Sequence, residues 1–192
     1  SLFDSYLYDA LYQDKTIRKG LQPIHYELAC SVLKNEQRAL YTVNYDDILE
    51  NALQAVLRAS GEPQEAHKVK SITKGLVRDL SVVHLHGYLP RDAPSSQGNI
   101  ILSERDYLSD NGGWADAKLN DLIQFSKTDL LLVGMSLSDP RIRRLLHKRL
   151  EAKRSGNSNV GNVYAMLSRD QSSTSPNLAS KRAKEIVKTY SE

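Results

Sequence analysis

Three short apolar runs, each closing on polar residues, constrain this chain more than any other feature. Ala39-Leu40-Tyr41-Thr42-Val43 leads into Asn44-Tyr45-Asp46, and Ser81-Val82-Val83-His84-Leu85 leads into His86-Gly87. The third, Asp129 to Met135, carries Val133-Gly134 just ahead of Ser136. Runs of this length and composition read as buried strands, and the segments between them carry helical periodicity. Strands alternating with helices build βαβ units, a parallel sheet and right-handed crossovers. In an open sheet of that kind ligands bind beyond the carboxyl ends of the strands, so the polar residues after each run form the candidate site.

The remaining elements follow from punctuation. Phe3, Tyr6, Leu7, Ala10 and Leu11 recur at helical spacing, and Pro23 begins a second helix bearing Ile24, Leu28, Val32 and Leu33. Asp47 with Glu50 resembles a capping box opening a helix that ends near Gly61. The polar stretch from Glu62 to Lys74 is assigned no element. Beyond His86, Arg91 to Gly98 is a Pro- and Ser-containing loop suited to covering a ligand, and Ser103 with Asp106 caps a short helix. Trp114 to Lys127 reads as a helix, Asp139-Pro140 as an N-cap and first helical position, and Asn162 to Leu167 as a strand. The segment from Ser168 to Ser175 is a loop; the tail is a helix or, over Ile186 to Tyr190, an edge strand.

Composition narrows the class. With 40% hydrophobic and 26% charged residues over 192 positions, one soluble domain is the economical assumption. No apolar stretch is long enough to span a bilayer, and Ser1-Leu2-Phe3-Asp4 does not read as a signal peptide, which points to a cytoplasmic protein. Cys30 is the sole cysteine, which excludes an internal disulfide and a cysteine-rich zinc site. His25, His67 and His147 have no companions at metal-ligand spacing, so no metal is expected. A net charge of +3 does not argue for nucleic acid. The bases from Arg141 to Arg154 interleave with Ile142, Leu145, Leu146 and Leu150, as on the solvated side of an amphipathic helix.

Thr42-Val43-Asn44-Tyr45-Asp46-Asp47-Ile48-Leu49-Glu50 resembles the T-x-N-Y-D-x-L-x-E block of the bacterial sirtuin-like family. His84-Leu85-His86-Gly87-Tyr88-Leu89-Pro90 resembles its L-H-G block, Leu102-Ser103-Glu104-Arg105-Asp106-Tyr107 a block that follows, and Leu132 to Pro140 its v-G-x-S-l-s-D-p block. The four stand in the family's order between about Leu28 and Met166. The resemblance implies a Rossmann-like three-layer α/β fold with a mostly parallel sheet, acting on NAD as its substrate. It also implies a bacterial antiphage role in which NAD is depleted, with homo-oligomerisation and attached sensor or effector domains. By motif match, Asn44 and His86 are the catalytic pair, the first holding water and ribose and the second acting as general base. Thr42, Asp46, Gly134 and Ser136 are assigned to the cofactor.

The chemistry asks for such residues. Breaking an N-glycosidic bond builds positive charge on ribose, which calls for an oriented nucleophile and a base working near neutral pH. An asparagine amide donates and accepts without adding charge. Structural readings stand beside these roles: Asn44 and Asp46 suit an Asx-turn ahead of the helix, and Asp139 is a cap with or without cofactor contact. Tyr107 suits a core position, and His84, on an interior strand, a hydrogen-bonded core histidine.

Two departures from the family pattern bear on function. No glycine-rich G-x-G turn precedes Asn44, so the chain is expected to be part of a larger protein lacking its first strand and glycine-rich loop. Its 192 residues then read as one domain: helical over 1–38, Rossmann-like over 39–167, and a loop with a helix or edge strand over 168–192. A single cysteine cannot build the four-cysteine zinc module of protein-deacylating sirtuins, so water is the expected acceptor. The activity expected is NAD glycohydrolysis. The alternative is a non-catalytic module that binds NAD or ADP-ribose and regulates attached domains.

Overall fold

The computed structural model describes residues 2–13, 21–34, 39–61, 69–74, 80–92, 95–97, 100–103, 105–106, 113, 117–118, 127, 129–135 and 139–166. They belong to two compact units, Ser1–Ala115 and Asp116–Glu192.

The first unit is built on a parallel sheet of β1 (Ala39–Thr42), β2 (Lys70–Ile72) and β3 (Ser81–His84), with β3 in the middle. Tyr41 aligns with Val83 and Thr42 with His84. The ladder runs one step further where the Leu85 amide donates to the Thr42 carbonyl at 2.9 Å. Every residue of β3 is buried, as expected of a central strand covered on both faces. Helices α2 (Pro23–Lys34) and α3 (Ile48–Ala59) pack against each other, and Ala29, Val32, Ala52, Leu53 and Val82 form the core between them and the sheet. Among the described residues no helix is long and apolar enough to cross a membrane.

Three expectations are corrected in this unit. The polar stretch after Gly61 contains β2, a short, half-exposed strand paired among the described residues only to β3, so it lacks the apolar run that marks a buried strand. The first helix, α1 (Leu2–Tyr8), passes into a π-helical turn over Asp9–Gln13. The wider turn changes the helix register, and Asp4 and Tyr12 are buried while Phe3 and Tyr6 stay exposed. Finally, Asp47 makes no side-chain cap to α3. Asp46 does so instead, its Oδ1 accepting from the Ile48 amide at 3.0 Å, and Glu50 turns inward. The Ser103–Asp106 cap is reciprocal as expected: Asp106 Oδ2 accepts from the Ser103 amide at 2.8 Å, and Ser103 Oγ from the Asp106 amide at 3.3 Å.

In the second unit β4 (Leu130–Val133) pairs in parallel with β5 (Val163–Met166), and α4 (Pro140–Arg154) lies between them in sequence. Asp139 caps α4 as expected, Oδ1 accepting from the Ile142 amide at 3.3 Å, with Pro140 in the first turn. Replacing Asp139 by alanine is expected to cost about 1 kcal/mol in urea unfolding. Ile142, Leu145 and Leu146 are buried beneath this helix. Arg149 is buried with them and donates through Nε to the Gly161 carbonyl at 3.1 Å, so this base departs from the solvated face assigned to it. The expected helix over Trp114 to Lys127 lies largely outside the described residues, and the tail from Ser168 lies entirely outside them.

Parallel strands joined through helices give both units the α/β, Rossmann-like character anticipated from the sequence.

Candidate active site

Parallel pairing puts the carboxyl ends of β1 and β3 side by side, so the turn after Thr42 and the loop after His84 meet at one edge of the sheet. Backbone bonds fasten them together: Leu85 N–H to Thr42 O, and Leu89 N–H to Tyr45 O, both at 2.9 Å. The Tyr45 hydroxyl donates to the Ile101 carbonyl, and the Ile101 amide donates to the His86 carbonyl at 3.1 Å. Tyr88 and Gln97 exchange backbone bonds of 2.9 and 2.7 Å, which folds the loop beyond His86 back on itself.

Asn44 is gripped at both ends of its backbone. Its amide donates to Thr42 Oγ1 at 3.0 Å, and its carbonyl faces His84 Nδ1 at 2.9 Å. A carbonyl oxygen only accepts, so Nδ1 bears the hydrogen. The Asn44 side chain is exposed and makes no hydrogen bond to a described residue. Its amide group is thus held in place through the backbone while remaining open to a ligand. His86, two residues beyond His84, is buried at the same edge, and Gly87 follows with φ +90°.

His84 is the core histidine expected of an interior strand, with 1% of its surface exposed. Its Nε2 lies 2.8 Å from Glu50 Oε1, which also accepts from Ser71 Oγ at 2.5 Å, and its ring packs against Tyr88 at 4.4 Å between centroids. Sequence reasoning took Glu50 for a helix cap. The signal that places it inside is periodic: Glu50, Leu53 and Leu57 share one buried face of α3.

Carboxylates crowd the turn. Asp46 is pushed above the usual carboxylate range chiefly by burial, opposed by its bond from the Ile48 amide and reinforced by neighbouring Asp47. Asp47 Oδ2 meets Arg91 Nε at 3.5 Å, while Asp47 Oδ1 and Glu50 Oε2 are buried without a hydrogen-bond partner among the described residues. Tyr12 covers this region from the N-terminal segment, its hydroxyl donating to the Leu89 carbonyl at 2.7 Å and its ring lying 4.8 Å beneath the Arg91 guanidinium. Burial, followed by Asp47 and Asp46, drives the Tyr12 phenol well above its ordinary value. Nothing in the sequence marks Tyr12 or Arg91 as neighbours of the turn.

A carboxyl whose folded pKa exceeds its unfolded value favours folding below the unfolded pKa, and that contribution is lost as pH rises through the folded one. Asp46→Asn keeps the acceptor for Ile48 and removes the charge. It is therefore expected to raise the melting temperature at pH 7 and to lose that advantage near pH 3, as read by thermal melts at the two pH values.

Gly134 follows β4 in the second unit with φ +65°, a conformation that L side chains rarely adopt, and a β-carbon there would meet nothing within 4 Å. Glycine is needed for the turn's conformation, and the space beside it is open. Ser136 lies outside the described residues, and Asp139 is engaged as the cap of α4. Among the described residues no cluster of His, Cys, Asp and Glu is arranged to hold a metal ion.

The sequence pattern of the SIR2-like domain matches residues 38–189, most of the chain. The chain belongs to the SIR2-like domain family. No curated protein matches it. The matched span of this SIR2-like domain contains the Asn44 turn, the His86 loop and the Gly134 turn. SIR2-like enzymes are in general NAD-dependent, so an NAD-related activity is the general assignment for this chain. Within the first unit, the exposed, backbone-fixed Asn44 and the buried His86 at the same sheet edge are compatible with a polar ligand.

Proposed function

We propose that this SIR2-like domain is an NAD glycohydrolase, releasing nicotinamide and ADP-ribose. The observation that carries the reading is the Asn44 turn: backbone fixed by Thr42 and His84, side chain free to engage a ligand, and buried His86 at the same sheet edge. When bound, NAD supplies a pyridinium leaving group. The bond between ribose C1′ and the nicotinamide nitrogen breaks, and its electron pair leaves with the neutral nicotinamide. Asn44 orients a water, whose oxygen bonds to C1′ while His86 takes its proton. Asp46 and Thr42 line the nicotinamide and ribose side. Gly134 and Ser136 are assigned to the same cofactor by the family's pattern of residues. Depletion of NAD in antiphage defence is the role proposed for this chemistry, supported by the resemblance of the four sequence blocks.

The general-base role is tested with His86→Ala. Nicotinamide release by the full-length protein is expected to fall by roughly a hundred- to ten-thousandfold. An unchanged rate in the folded variant would remove His86 from the mechanism.

A further inference from the structure

His84 is bonded through both ring nitrogens, to the Asn44 backbone on one side and to Glu50 on the other. Nδ1 carries a hydrogen because the Asn44 carbonyl can only accept. Nε2 faces Glu50 Oε1 at 2.8 Å, and that contact holds only with a hydrogen between the two atoms. Ser71 donates to the same Oε1, which fixes the carboxylate from the β2 side, and the Tyr88 ring lies against the imidazole. The His84 ring thus has one orientation, with Nδ1 donating toward the backbone of Asn44. A histidine kept only to fill the core has no need of this arrangement, since an apolar side chain of similar volume would pack there without two buried polar contacts to satisfy.

We propose that Glu50 and His84 form a positioning relay, in which Glu50 orients the imidazole and the imidazole sets the backbone, and thereby the side-chain direction, of Asn44. Neither residue touches substrate; both act through Asn44. This inference rests on the hydrolase reading of Asn44 for its kinetic consequence, but its structural half stands apart from catalysis. A misplacement of about 1 Å at a reacting group can cost up to a hundredfold in rate. Thr42 holds the amide of the same residue, so loss of the His84 bond leaves the turn tethered at one end.

Two substitutions at His84 separate the relay from mere packing. In His84→Asn the side-chain amide nitrogen takes the place of Nδ1 and still reaches the Asn44 carbonyl, while the Glu50 contact is lost. In His84→Gln the amide reaches toward Glu50, and the donor to Asn44 is lost. Nicotinamide release by the full-length protein is measured for each, with the side-chain amide resonances of Asn44 followed by NMR and assigned by their loss in Asn44→Ala. His84→Gln is expected to lower kcat by about ten- to a hundredfold with KM within about twofold, and to shift the Asn44 resonances. His84→Asn is expected to keep kcat within about threefold of the parent and the resonances near their original positions. Equal losses of kcat in both variants, or Asn44 resonances unmoved by His84→Gln, would overturn the relay. If the parent releases no nicotinamide, the hydrolase reading fails, and the NMR comparison still decides whether His84 positions Asn44.

Discussion

Asn44→Ala is expected to reduce nicotinamide release by about a hundred- to a thousandfold while leaving the protein as stable as its parent. The first half follows from chemistry: one preorganised polar group acting on the transition state is worth about that factor, close to 3 to 4 kcal/mol of barrier. The second half follows from the fold. The Asn44 side chain is exposed and makes no hydrogen bond to a described residue; the bonds that fix the turn come from its own backbone, which alanine retains. Exposed substitutions free of such contacts stay within about 0.5 kcal/mol of the parent. Steady-state kinetics beside urea unfolding check both halves. A large loss of stability would show that the amide has a structural duty, and an unchanged rate would remove Asn44 from the chemistry.

Glu50→Ala, by contrast, is expected to destabilise the fold by about 3 kcal/mol, because removing one member of a buried pair strands the other. His84 Nε2 would lose its partner and Ser71 Oγ its acceptor in a largely buried region. One term opposes the loss: Glu50 Oε2 is itself buried without a partner among the described residues, and its removal relieves roughly 1 to 3 kcal/mol of desolvation. The cavity left in a face shared with fully buried Leu53 adds to the cost, so the net sign is destabilising. Glu50→Gln keeps an acceptor oxygen and is expected to cost roughly 1 kcal/mol. Urea midpoints with an unchanged slope would read both values. An equal, small effect of the two substitutions would show that the pair contributes little to stability.

The parts of this fold legible in the sequence are those set by periodicity and by caps. β1, β3, β4 and β5 fall on the expected runs within a residue or two, although only β3 is buried throughout and β5 is exposed along its length. Asp139 and the Ser103–Asp106 pair cap their helices as their spacing indicated. What escaped is tertiary. β2 is short and half-exposed, and it is recruited by the free side of β3 rather than by its own hydrophobicity. Glu50 obeys a local capping rule on paper, yet the buried imidazole of His84 offers it a stronger partner than the end of α3 does. Tyr12 and Arg91 reach the Asn44 turn through contacts between segments nearly eighty residues apart, which no local pattern encodes. At the candidate site, the position of Asn44 and His86 just past two apolar runs was readable, whereas the grip on the Asn44 backbone emerges only from the parallel register of β1 and β3.

Hydrolysis at the Asn44 turn is tested most directly by incubating the full-length protein with NAD in water enriched in oxygen-18 and weighing the products. Nicotinamide and ADP-ribose in equal amounts, with one heavy oxygen on the ribose C1′ of the parent's product and release slowed by about a hundred- to a thousandfold in Asn44→Ala, is the expected result. NAD left intact by a folded, NAD-binding protein, or nicotinamide released only when an acyl-lysine acceptor is added, would contradict it.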